Sequence, residues 1–125
     1  VSSAAVSVQA QGFSAVAELD DAGISARLIG TADLTVNAAL EEFIQQVHGL
    51  VQARNATEVV VDFRDLEFMN SSCLKGMVSW ICRIQELPRP SQYRMVLVAS
   101  STHQWQRRSL PALTCVAADV VTIQS

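Results

Sequence analysis

Clustered positive charge is missing from this chain. Its nine lysines and arginines are scattered through 125 residues, Arg107-Arg108 is the only adjacent pair, and the net charge is −3. Binders of nucleic acid gather Lys and Arg on one face, because phosphate contacts carry most of their affinity, so nucleic acid is not an expected partner. No apolar run approaches the ~18 residues that span a bilayer, and no membrane partner is expected either. Cysteine is scarce and odd in number: Cys73, Cys82 and Cys115. Their spacing offers no C-x-x-C pair, so neither a disulfide framework nor a metal site is expected, and no cofactor. Free thiols suit a reducing cytoplasm, the expected location. The opening VSSAAVSVQAQG starts without Met, as a trimmed piece would. It also lacks the basic and long apolar regions of a secretion signal.

Apolar residues are what the chain does have. Half the residues are hydrophobic and only 17% are charged. A chain of this size can bury roughly two-thirds of its unfolded surface. One domain over residues 1–125 is the expectation, with 1–11 frayed or forming an edge strand. Phe13, Ala15, Ala17 and Leu19 alternate, and so do Ile24, Ala26 and Leu28. With the turn signal DDAG between them, they predict an antiparallel hairpin. The period then changes. Leu40, Phe43, Ile44, Val47, Leu50 and Val51 make one helical face, with Asn37 or Thr35 as its cap.

EVVVDF reads as a strand buried on both faces, ending near residue 63. Leu74, Met77, Val78, Ile81 and Ile84 predict a second helix, broken by LPRPSQ. YRMVLVAS is a strand, STHQWQRRSLPAL a short helix ended by Pro111, and 116–123 a last strand. Strands that each follow a helix give an α/β fold with a parallel or mixed sheet. In such sheets the loops at the carboxyl ends of strands carry function, and FRDLEFMNSS is one of them.

That loop runs into the corner FMNSSCLKG, residues 68–76, which has several readings. Asn70, Ser71 or Ser72 can simply cap the helix. A hydrolase elbow needs G-x-S-x-G, which is absent, and His48 and His103 lie on or beside other helices, with His48 on a solvated side. Cys73 in a first helical turn is either a reactive thiol or a small apolar residue turned inward. A phosphate on a first-turn serine would be favoured by the free N–H groups and the helix dipole. Asp62 and Asp65 lack a third ligand for a metal. Asp62 reads as a strand-end polar residue and Asp65 as a turn former. Trp80 reads either as a partner anchor or as a partly buried residue. Trp105 beside Arg107-Arg108 reads as surface packing.

VVVDFRDLEFMNSSCLKGMVSWICRIQ resembles the central motif of STAS domains, the anti-sigma-factor antagonist class. Their pattern D-L-x-F-M-D-S-S-G-L is matched at Asp65-Leu66, Phe68-Met69, Ser71-Ser72 and Leu74. LIGTADLTVNAALEEFI is similar to the family's G-E-L-D turn before the first helix, with Gly30 and Asp33 in related places. The resemblance implies a STAS-like mixed sheet of four to five strands with helices on one side. It implies a binding domain without catalysis of its own, working in a bacterial partner-switching circuit. Its partner would be a GHKL-type serine kinase that doubles as an anti-sigma factor, with a phosphatase resetting the system. The phosphorylated residue would be Ser72, with Ser71 as the alternative. The contact surface would comprise Asn70, Ser71, Ser72, Cys73, Lys75, Trp80 and Asp33, on a monomer or weak dimer. Asn70 stands where the family has an acid, and Cys73 where it has glycine. These departures suggest a divergent branch and keep two other readings in view. One is an unphosphorylated scaffold or sensor, the other a redox sensor using Cys73.

Overall fold

In the computed structural model, residues 3–20 and 23–124 are described; the DDAG turn at residues 21 and 22 lies outside them. Six strands form one mixed sheet among these residues: β1 (Ser3–Ala10), β2 (Phe13–Asp20), β3 (Gly23–Ala32), β4 (Glu58–Met69), β5 (Arg94–Val98) and β6 (Val121–Gln124). Three helices connect the last four: α1 (Asn37–Arg54), α2 (Ser71–Glu86) and α3 (Gln104–Val116). The expected count of four to five strands is thus corrected to six, because residues 3–10 form a paired edge strand against β2.

Spatial order follows chain order, β1 to β6. The pairs β1–β2 and β2–β3 are antiparallel, and the rest are parallel. Each parallel step moves the same way across the sheet. Right-handed crossovers of that kind place all three helices on one face. There α1 lies over β1–β3 and against α2, while α2 also meets α3. Ala15, Ala17 and Ala26 floor the region under α1 and are buried, small enough for a helix carrying Phe43 and Val47 to approach. Each Phe, Leu, Ile, Val or Met buried this fully contributes about 1.5–3 kcal/mol. The other face carries the aligned row Val16, Arg27, Asp62 and Val98. Arg27 pairs with Asp65 there, and Arg64 with Asp62 at 2.8 Å.

α1 begins differently from expectation. Asp33 caps a 3-10 turn, Leu34–Val36, that runs directly into the helix, so neither Thr35 nor Asn37 provides the cap. The helix ends at Asn55, in the left-handed conformation that Asn tolerates (φ 52°). Gly30 is required where it stands. Its φ is +100°, and a Cβ there would sit 2.2 Å from the carbonyl oxygen of Gly12, which accepts a hydrogen bond from Thr31 N–H. α3 continues through Pro111 rather than ending at it. The bond that proline removes belongs to the carbonyl of Arg107, an exposed residue that water can satisfy.

β4 runs past residue 63 because it bulges. Arg27 and Ile29 of β3 face Asp62 and Asp65, and Gly30 and Thr31 face Leu66 and Phe68, so β4 carries one extra residue at each step. Inward residues then recur every third position, as Phe63, Leu66 and Met69, all buried. A strict period of two would have turned some of them to solvent. β5 pairs with β4 only as far as Asp62. Beyond that point the entrance of α3 replaces the missing strand. Gln106 Nε2 donates to the carbonyls of Phe63 (2.6 Å) and Leu66 (3.1 Å), and Trp105 Nε1 to that of Leu66 (3.0 Å). His103 Nε2 lies 3.1 Å from the carbonyl of Arg64. Gln106 Oε1 also accepts from Ser100 N–H at 2.7 Å. Replacing Gln106, 1% exposed, by Leu leaves buried backbone groups without partners. A loss of about 2–3 kcal/mol is expected in urea unfolding, against a loss under 1 kcal/mol for exposed Gln104→Leu.

Candidate functional site

The bulged half of β4 delivers the chain to Asn70 at the carboxyl end of the sheet. Asn70 N–H donates to the carbonyl of Ala32 at 2.9 Å, tying this corner to the end of β3. Its Oδ1 accepts from Cys73 N–H at 2.9 Å, and its carbonyl accepts from Leu74 N–H at 3.0 Å. Asn70 is therefore the N-cap of α2, with Ser71 and Ser72 as the first two helical residues. An amide oxygen does here what a carboxylate would do, without the negative charge.

Ser71 is exposed and Ser72 half-buried. Ser72 lines a groove of about 190 Å³ between α1 and α2, with Asn37 and Glu41 on one side and Lys75, Gly76, Ser79 and Arg83 on the other. Neither serine hydroxyl has a hydrogen-bond partner among the described residues. No base stands ready to make a nucleophile of them, since His48 is bonded to Tyr93 and His103 to the backbone of Arg64.

Asp33 flanks the corner. Its carboxylate accepts from Thr35 N–H (2.9 Å) and the Thr35 hydroxyl (2.6 Å), and these bonds hold it below the usual carboxylate range. The tight turn leaves Leu34, its middle residue, 69% exposed. Across the corner, the residue order of the bulge turns Met69 inward and leaves Phe68 45% exposed. Among the described residues these are the large hydrophobics left in water. Leu34 follows the carboxyl end of β3 and Phe68 lies next to that of β4, and these two ends are paired through Ala32 and Met69. The sequence reading missed both. The D-x-T turn was a usable signal for Leu34; nothing in the residue pattern marked Phe68.

Three expectations need correction. Cys73 is not on the surface. Its Sγ points inward, 3.6 Å from the carbonyl of Asp33 and 3.7 Å from Asn37 Oδ1. Burial first, and then the charge of Asp33, push this thiol up, the reverse of what a reactive cysteine needs. The redox-sensor reading is overturned. Trp80 is no surface anchor either: it is 1% exposed, and its indole N–H donates to the Tyr93 hydroxyl at 2.7 Å. The buried stripe of α2 is Cys73, Met77, Trp80, Ile81 and Ile84, with Leu74 and Val78 at its edge. His48 is half-buried rather than solvated, 2.5 Å from the same hydroxyl. The structure does gather Asp33, Asn70, Ser71, Ser72 and Lys75 at one end of the sheet.

No group of three or more His, Cys, Asp or Glu among the described residues is placed to hold a metal. Among the described residues no helix is long and apolar enough to cross a membrane. The arrangement offers two apolar side chains, two free hydroxyls and a groove.

A sheet ordered this way, helices on one face and a capped serine corner at its carboxyl end define the STAS-like fold of anti-sigma factor antagonists. The crystal structure of an anti-sigma factor antagonist from Mycobacterium paratuberculosis is similar to this chain, with a TM-score of 0.61 and 22% identity over 82% of this chain and 80% of that one. At that identity the likeness is one of fold. No family model matches the chain, and no curated protein does.

Two measurements test the corner. Under native conditions an alkylating probe is expected to label exposed Cys115 first, half-buried Cys82 more slowly, and Cys73 only after unfolding. Labelling of native Cys73 at the rate of Cys115 would contradict its placement. Asn70→Ala is expected to lose about 1 kcal/mol of stability and Asn70→Asp almost none, because either Asn or Asp oxygen caps Cys73 N–H.

Proposed function

We propose that this chain is a regulatory docking domain whose partner is a serine kinase of the anti-sigma type, and that phosphorylation of Ser72 releases the partner. The observation that carries the reading is the exposure of Leu34 and Phe68 at the paired carboxyl ends of β3 and β4, the end of the sheet from which Ser71 and Ser72 start α2. Covering such side chains is favourable by about 1.5–3 kcal/mol each when burial is complete. A domain that leaves them in water at a single corner has a surface ready for an apolar counterpart. A phosphate on Ser72 would put about −1.5 to −2 charges beside that patch, and docking would then have to desolvate them.

The two departures from the STAS motif fit this role. Asn70 keeps the cap while removing a charge next to the acceptor hydroxyl. Cys73 turns its sulfur into the core, so its side chain does not obstruct an approaching loop. The contact surface in this reading is Leu34, Phe68, Asn70, Ser71, Ser72 and Lys75, with Asp33 holding Leu34 in place. Binding, with chemistry left to the partner, is the proposed activity, and the fold of the Mycobacterium paratuberculosis antagonist supports it.

Paired baits from native lysate test the reading. Ser72→Ala is expected to hold a protein with an ATPase-type serine kinase domain, and Ser72→Asp to hold it at least tenfold less. Leu34→Ser in the Ser72→Ala background should weaken capture as well. Equal capture by the Ala and Asp baits would show a fixed contact surface with no phosphorylation gate.

A further inference from the structure

A buried chain of hydrogen bonds runs beneath the groove that Ser72 lines. Trp80 of α2 contributes its indole N–H, which only donates, to Tyr93 Oη at 2.7 Å. Tyr93, at the entrance to β5, is 2% exposed, so water cannot take its own proton. The remaining neighbour is His48 Nδ1 on α1, at 2.5 Å. The direction of every bond follows. Trp80 donates to Tyr93, Tyr93 donates to His48, and His48 must be neutral, with its proton on Nε2. A protonated imidazole donates from both nitrogens. Were it to donate to Tyr93 Oη, the Tyr93 proton would be left buried without a partner.

The surroundings of His48 all act in the same sense. Arg83 faces it from α2, and Tyr93 from the approach to β5. Its neighbours one turn away on α1 are Gln45, Ile44, Val51 and Gln52, none of them an acid. Burial, and then the charge of Arg83, hold its imidazole below the ordinary value of 6.5. The folded chain therefore binds fewer protons than the unfolded one. The stabilisation is whole above that ordinary value and is lost as pH falls from it through the folded value.

We propose that Trp80, Tyr93 and His48 form a proton-operated latch on the groove beside Ser72, holding α1 against α2 while His48 is neutral and releasing them when it is protonated. Trp80 and Arg83 both line that groove, so the latch and the groove share a wall. Its regulatory meaning rests on the docking role proposed for Ser72; its operation does not. Acidification would open the groove and displace the Ser72 end of α2, adding a second control to the same site.

NMR of the full chain from about pH 8 to about pH 5 tests the latch. The His48 ring should titrate below 6.5, and the Trp80 indole N–H and the amides of Ser72 and Gly76 should move with the same midpoint. In His48→Gln those amides should stay still over that range. In Tyr93→Phe, the Ser72 amide should stop following the titration of His48. Two results would overturn the latch: Ser72 and Gly76 amides that stay still while His48 titrates, or an unchanged pH response in His48→Gln. The bait comparison reads docking separately. Baits that behave alike with amides that follow His48 remove the phosphorylation gate alone, and gated baits with silent amides remove the latch alone.

Discussion

Backbone carbonyls on the far half of β4 have no strand to bond on the β5 side, and the candidate site depends on how they are satisfied. β5 leaves the ladder at Asp62. The carbonyls of Phe63, Arg64 and Leu66 then meet side chains from the start of α3, namely Gln106, His103 and Trp105. A buried carbonyl left alone costs about 1–3 kcal/mol. Without these side chains the strand would have to end earlier. With them it continues as a bulged ribbon to Met69 and sets Asn70 against Ala32. The cap on α2, the exposure of Phe68 and the position of Ser72 all follow from that placement.

The same corner shows how a motif can change two residues and keep its geometry. An N-cap needs an oxygen aimed at the first-turn N–H groups, and Asn70 supplies one. The position of Cys73 faces inward, where a thiol fits between α2 and the turn at Asp33. The substitution adds a contact from the first turn of α2 to Asp33 and to the start of α1. Nothing in the structure explains why Thr31 stands where the G-E-L-D turn has an acid.

Legibility in the sequence followed the range of the forces involved. The hairpin of β2 and β3 and the buried stripe of α1 were readable because one face of each is buried along its whole length, which imposes a period. The position of Ser72 at a strand-to-helix corner was readable for the same reason. The far half of β4 was not. Its bulges are set by register with β3, and they replace the period of two with steps of three. Trp80 was ambiguous because its indole is satisfied by Tyr93, thirteen positions away and in another element. Pro111 read as a stop because its effect was judged locally; it sits on the wet side of a helix held by Leu110 and Leu113. Exposed Leu34 and Phe68 escaped notice because hydrophobic patterning assumes such residues are inside.

The partners of the β4 carbonyls also set an order of events. The strand that needs help occupies residues 58–69, and the side chains that help it are 103, 105 and 106. On a ribosome the serine corner emerges well before the groups that hold its backbone in shape. Helix α3 in turn packs against β6, the last strand of the sheet. A nascent chain therefore carries the Ser72 sequence without yet carrying its shape, and recognition by shape has to wait until the sheet is complete.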